Sequence, residues 1–168
     1  MSFQRAFVTI LTVGALAATA ALAQTTTTTT TTSTREATYP PVGLAATETL
    51  QINVANLASN SSSGTAASCT GTITFVNPSG ATVGTAASFT VTSGQTSSVS
   101  LPFAKTGATA RTEIRGIISY TVTSDVPCSL ASSLETYDTS TGVTHLFLSN
   151  DAAAGGSPAF DSGPGQGR

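Results

Sequence analysis

Between Tyr39 and Asn150 apolar and polar residues alternate with a period of two, and this period most constrains what the chain can fold into. Successive side chains on an extended strand point to opposite faces, so such a run offers one face to a core and one to water. In TETLQINVANL, Leu50, Ile52 and Val54 share a face while Gln51 and Asn53 take the other. SCTGTITFV groups Cys69, Gly71, Ile73 and Phe75 against Thr70, Thr72 and Thr74. SFTVT sets Phe89 with Val91, and TSSVSLPF sets Val99, Leu101 and Phe103 together. TEIRGIISYTV aligns Ile114, Ile118, Tyr120 and Val122, and PCSLASSLE puts Cys128, Leu130 and Leu134 in one register. VTHLFLS closes the series as a last apolar strand. No segment after Ala23 sustains the period of an amphipathic helix.

The residues between these runs suit turns. In Asn77-Pro78-Ser79-Gly80, proline fits the second turn position and glycine the left-handed one. Ser93-Gly94-Gln95 separates two alternating runs, and Asp138 to Gly142 (DTSTG) reads as a hairpin loop closed by glycine. Asn60 to Gly64 (NSSSG) is a longer loop.

Charged residues make up 8% of the chain, against about 25% in ordinary globular proteins. Serine and threonine fill the gap, which suits strands and disfavours long exposed helices. The chain has two cysteines, Cys69 and Cys128. In an oxidising compartment they are expected to form one disulfide, closing a loop of about 60 residues. Both lie in register with the apolar residues of their runs, so the bridge should point inward. Together these features predict an all-β chain, an antiparallel immunoglobulin-like β-sandwich of about 7–8 strands with one disulfide. There is no tryptophan, so the Cys–Trp–Cys core of antibody domains is missing.

The ends differ from the middle. Residues 1–23, MSFQRAFVTILTVGALAATAALA, read as a signal peptide, with Arg5 ahead of an apolar run and Ala21-Leu22-Ala23 placing the cut between Ala23 and Gln24. Residues 24–38 are expected to be a disordered Thr-rich spacer, and hydroxyl-linked glycosylation would be an elaboration of it. Residues 39–150 form the sandwich domain, and 151–168 a disordered Gly/Pro-rich tail. The chain is therefore expected to be secreted or periplasmic, with no membrane span in the mature form. Formal net charge is −2, and with no basic patch nucleic acid is not expected as a partner.

YPPVGLAATETLQINVANL, a cysteine opening the next strand, FVNPSGATV, SFTVTSGQTSSVSL and ETYDTSTGVT together resemble a group of small secreted bacterial proteins. These are single-domain β-sandwiches of uncharacterised function. The resemblance covers Tyr39 to Leu148, rests on strand and turn patterns, and implies fold and export without any chemistry.

Candidate chemistry is sparse. His145 is the single histidine, so a metal site built from several imidazoles is excluded. No G-x-S-x-G elbow accompanies it, and a surface strand position suits it better than a catalytic one. The carboxylates Glu36, Glu48, Glu113, Glu135, Asp125, Asp138, Asp151 and Asp161 are scattered, with no pattern of a glycosidase pair or a calcium loop. Asp138 suits a turn-forming role. Arg111, Glu113 and Arg115 alternate and would project from one strand face, either as solvated charge pairs or as a contact patch for a partner. Asn60-Ser61-Ser62 matches an N-glycosylation sequon, expected to be unused behind a bacterial-type signal. No catalytic, cofactor or metal residue is assigned, and no cofactor is expected. The expectation is a non-enzymatic domain with a structural, adhesive or interaction role, meeting an unknown protein or cell-surface polymer. The alternatives are a subunit or accessory of a secreted assembly and, behind it, a small extracellular hydrolase.

Overall fold

The alternation is realised as two antiparallel sheets packed face to face. The computed structural model describes residues 29–62 and 64–151; the expected signal peptide over 1–23, its cut, the first residues of the spacer and the tail beyond Asp151 lie outside the described residues. The described residues form nine strands, β1 Thr32–Thr38, β2 Val42–Leu44, β3 Glu48–Asn56, β4 Ser68–Val76, β5 Thr82–Thr92, β6 Thr96–Pro102, β7 Thr112–Thr123, β8 Leu130–Asp138 and β9 Thr144–Asp151. One sheet has the order β1-β7-β4-β5 with β2 also paired to β7, and the other has the order β6-β3-β8-β9.

The core is where the period of two placed it. Leu50, Ile52 and Val54 of β3 face Ile114, Ile118 and Tyr120 of β7, with Cys69, Ile73, Phe89, Leu101, Leu130 and Leu134 in the same buried cluster. Leu148 of β9 joins them, while Phe147 beside it turns outward. The disulfide Cys69–Cys128 is formed and ties β4 of the first sheet to the segment that enters β8 of the second. Cys128 and Phe103 fall just outside the strands read for them. β8 begins at Leu130, and the chain leaves β6 at Pro102 into a short 3-10 turn, Phe103–Lys105. Proline lacks the N–H that would continue the ladder.

Two elements depart from the expectation. Thr32–Thr38, read as part of a disordered spacer, forms β1 and pairs with β7 from Thr32↔Thr123 to Thr38↔Ile117. Composition alone hid this strand, because its side chains are nearly all exposed and only Ala37 is half-buried. It is held by backbone hydrogen bonds to a neighbour rather than by a hydrophobic face. Val42–Leu44 forms β2, whose Val42 and Leu44 are core residues on a run too short to show alternation.

Backbone proximity decides two glycine positions. A Cβ at Gly71 would fall on the Ser119 carbonyl oxygen and on the ring of Phe89, its cross-strand partner. Gly71→Ala is therefore expected to destabilise the domain by about 1–3 kcal/mol, read as a lower urea midpoint, because a carbonyl in a central ladder cannot retreat cheaply. At Gly84, φ is 71°. It lies where three residues of β5 oppose one of β4, between the pairs Phe75↔Val83 and Ile73↔Ala87. A bulge of this kind bends the strand and increases its local twist.

Candidate functional site

The three charged residues of the expected contact patch lie on β7 or just ahead of it. Glu113 and Arg115 of β7 line a hollow of about 170 Å³ with Pro41, Asn77 and Pro78. Arg111, just before β7, lies across the backbone of Gly43 in β2, where any side chain at 43 would overlap its guanidinium. Gly43 is the register partner of Glu113, and the charge of Arg111 also reaches Glu48 at the start of β3.

Glu48 joins two distant parts of the chain. Its Oε1 lies 2.6 Å from Nδ1 of His145 on β9, and its Oε2 accepts the Ala45 N–H at 2.7 Å. Burial alone would raise the Glu48 carboxyl. The hydrogen bonds from His145 and Ala45, with the charges of His145 and Arg111, outweigh it and hold the group below its ordinary value. His145 is half exposed, so this is a latch at the rim of the sandwich, not an enclosed base. Glu48→Gln is expected to reduce stability by less than about 1 kcal/mol, the range of solvent-facing pairs. Thermal unfolding at neutral pH measures it.

The outer face of the second sheet carries the most organised polar surface. Strand register places its side chains in rows: Ser100, Gln51, Glu135 and Phe147 in one, Ser98, Asn53, Ser133 and Ser149 in the next, Thr96, Ala55 and Ala131 in the third. Gln51 Nε2 donates to Asn53 Oδ1 at 2.8 Å and to Glu135 Oε1 at 3.2 Å. Asn53 Nδ2 donates to the same Glu135 oxygen at 3.1 Å and to Ser133 Oγ at 3.3 Å. Ser98 donates to Asn53 Oδ1 at 2.6 Å and Ser100 to Gln51 Oε1 at 2.9 Å. The small side chains of Ala55 and Ala131 leave a shallow hollow of about 310 Å³, bordered by Asn53, Thr96, Ser133 and Phe147. Phe147 is 43% exposed there. Sequence reading put Gln51 and Asn53 on an outer face but did not single them out. Their partners on β6, β8 and β9 are distant in sequence and become neighbours only through register.

Asp138 performs the turn role expected of it. Its Oδ1 accepts from the Ser140 N–H and hydroxyl at 3.0 and 2.6 Å, and from the Thr141 N–H and hydroxyl at 2.8 and 2.9 Å. The Ser140 hydroxyl, followed by the Thr141 donors, holds the carboxyl well below the usual carboxylate range. A group depressed on folding stabilises the fold above its unfolded value, about 3.9, and that contribution is lost as pH falls toward the folded value. Wild type is therefore expected to be more stable than Asp138→Ala at pH 6, with the gap closing as pH is lowered through about 4 to 2. Urea midpoints across that range measure it; a gap that stays constant with pH would show that the charge is not the cause.

The sequon asparagine is also engaged: Asn60 Oδ1 accepts the Ala67 N–H at 2.9 Å. Among the described residues no three His, Cys, Asp or Glu side chains gather as a metal site. Among them, too, no helix is long and apolar enough to cross a membrane.

Fold and surface thus define an antiparallel, disulfide-bonded β-sandwich with a hydrogen-bonded polar outer sheet face. No family model, curated protein or solved structure matches the chain.

Proposed function

We propose that this chain works outside the cytoplasm as a non-enzymatic β-sandwich with a structural, adhesive or interaction role at the cell surface. The observation that carries the reading is the outer face of β6-β3-β8-β9. Its amides, hydroxyls and one carboxylate are fixed by each other, and an exposed Phe147 sits beside them. A surface whose rotamers are already set loses little side-chain entropy on meeting a partner. The formed disulfide supports an oxidising compartment. The carboxylates of Glu48, Glu135 and Asp138 are each committed to local hydrogen bonds, which leaves a hydrolase the least supported reading.

Purified protein incubated with whole cells and with cell-wall polymers, then pelleted, tests this role. Retention in the pellet is expected, with about a tenfold loss on replacing Asn53 and Phe147 together by alanine, a size typical of hot-spot truncation. Replacing Arg111 and Arg115 examines the alternative patch on the other sheet. Failure of the wild type to bind any fraction would remove the adhesive reading.

A further inference from the structure

We propose that β1 is an exchangeable strand, able to leave the β7 edge of its own domain and pair with the β7 edge of a second copy of this chain. Three observations converge on it. First, the core closes without β1. Tyr39, immediately after it, is 1% exposed, and its hydroxyl donates to Ser132 Oγ of the opposite sheet at 2.8 Å. Of β1 itself only Ala37 reaches the core. Tyr39 therefore plugs the domain, while the strand ahead of it adds backbone pairing and one half-buried alanine.

Second, the ladder is interrupted at that point. Thr38 pairs with Ile117 and Val42 with Ile114, so Tyr39, Pro40 and Pro41 oppose only Arg115 and Gly116. The Tyr39 N–H still bonds the Gly116 carbonyl at 2.9 Å. Pro40 and Pro41 have no N–H to give. β1 and β2 thus pair with one strand as two separate units, and the first can open while the second stays closed.

Third, what β1 recognises is a backbone edge in a set antiparallel register, Thr32↔Thr123 through Thr38↔Ile117. A second copy presents the same edge in the same register, so the hydrogen bonds formed between copies equal those given up within each. The exchange is reciprocal, each copy's β1 filling the other's vacated edge, which makes a closed two-fold pair. Attachment within the chain favours the monomer at low concentration, and mass action favours the pair at high concentration. This inference does not depend on which outer face meets a partner.

Isotope-labelled Glu36→Cys protein mixed with unlabelled Ser119→Cys protein tests it, since these positions are paired neighbours. The two natural cysteines are already bonded to each other. Glu36 is exposed and Ser119 half-buried outside the core, so both variants retain the fold. After incubation, a short bis-maleimide is added and the products are mapped by mass spectrometry. The expected result is 36–119 crosslinks joining labelled to unlabelled chains, their yield rising with concentration alongside a dimer in sedimentation. Mixing Glu36→Cys with Thr90→Cys, on β5 at the far edge of the same sheet, sets the level of chance encounters. The proposal is overturned if the mixed pair crosslinks no more than that control while a Glu36→Cys, Ser119→Cys double variant links within single chains.

Discussion

Replacing Cys69 and Cys128 together by alanine is expected to lower the unfolding free energy by about 4 kcal/mol. The two residues lie 59 positions apart, so the bridge removes a long loop's worth of freedom from the unfolded chain. In the folded chain it fastens the two sheets to each other between β4 and the approach to β8. Small domains have only about 5–15 kcal/mol of total stability, so this loss is a large share of it. Urea unfolding with and without reductant measures the effect. The reduced wild type should match the double variant, and the slope of the transition should steepen as the unfolded state expands. Coincident midpoints for oxidised wild type and variant would show that the bridge contributes nothing.

The second large effect is expected at Asn56. It is fully buried at the end of β3, and its Oδ1 accepts the N–H groups of Ala58 and Ser129, each at 3.1 Å. Its Nδ2 reaches the Val91 carbonyl of β5 at 3.4 Å. Its backbone is bonded as well, to Gln95 O and from Gly94 N. One side chain thereby ties β3 to β5 and to the entry of β8. Asn56→Leu keeps the volume but removes the acceptor, leaving two backbone N–H groups without a partner. At about 1–3 kcal/mol for each stranded group, a loss near 3 kcal/mol is expected. Chemical denaturation checks it, and a loss below about 0.5 kcal/mol, the level of an ordinary surface change, would sink the argument. Ser129 follows Cys128 directly, so Asn56→Leu and the disulfide deletion act on one junction. Their combined effect should depart from the sum of the two.

Much of the sandwich was legible because burial follows a local rule. Leu50, Ile52, Val54, Ile73, Phe75, Ile114, Ile118 and Leu134 all occupy the core that their alternation assigned. The Asn77–Gly80 turn has Gly80 at φ 82°, as its sequence requires. Asn56 was not legible as a junction. Asn56 continues the inward register of Leu50, Ile52 and Val54, whereas Asn53 lies on the outer face of the same strand, but register does not say what a buried asparagine would bond. The difference comes from what the fold brings to each: the N–H of Ser129 and the carbonyl of Val91 for one, hydroxyls and a carboxylate for the other. The Glu48–His145 pair was hidden for the same reason, its partners lying 97 positions apart.

By itself, then, the sequence determined which residues face inward, which turns close the hairpins and that the two cysteines should pair. Each of these depends on side-chain period, backbone preference or residue chemistry, all carried locally. Only the tertiary structure decided that a threonine-rich stretch becomes the edge strand β1. A strand held by backbone hydrogen bonds needs a neighbouring edge rather than apolar side chains, and β7 supplies that edge. Register across β6, β3, β8 and β9 likewise decided which scattered polar residues become one surface. Pairing between distant strands has no local signature in the chain.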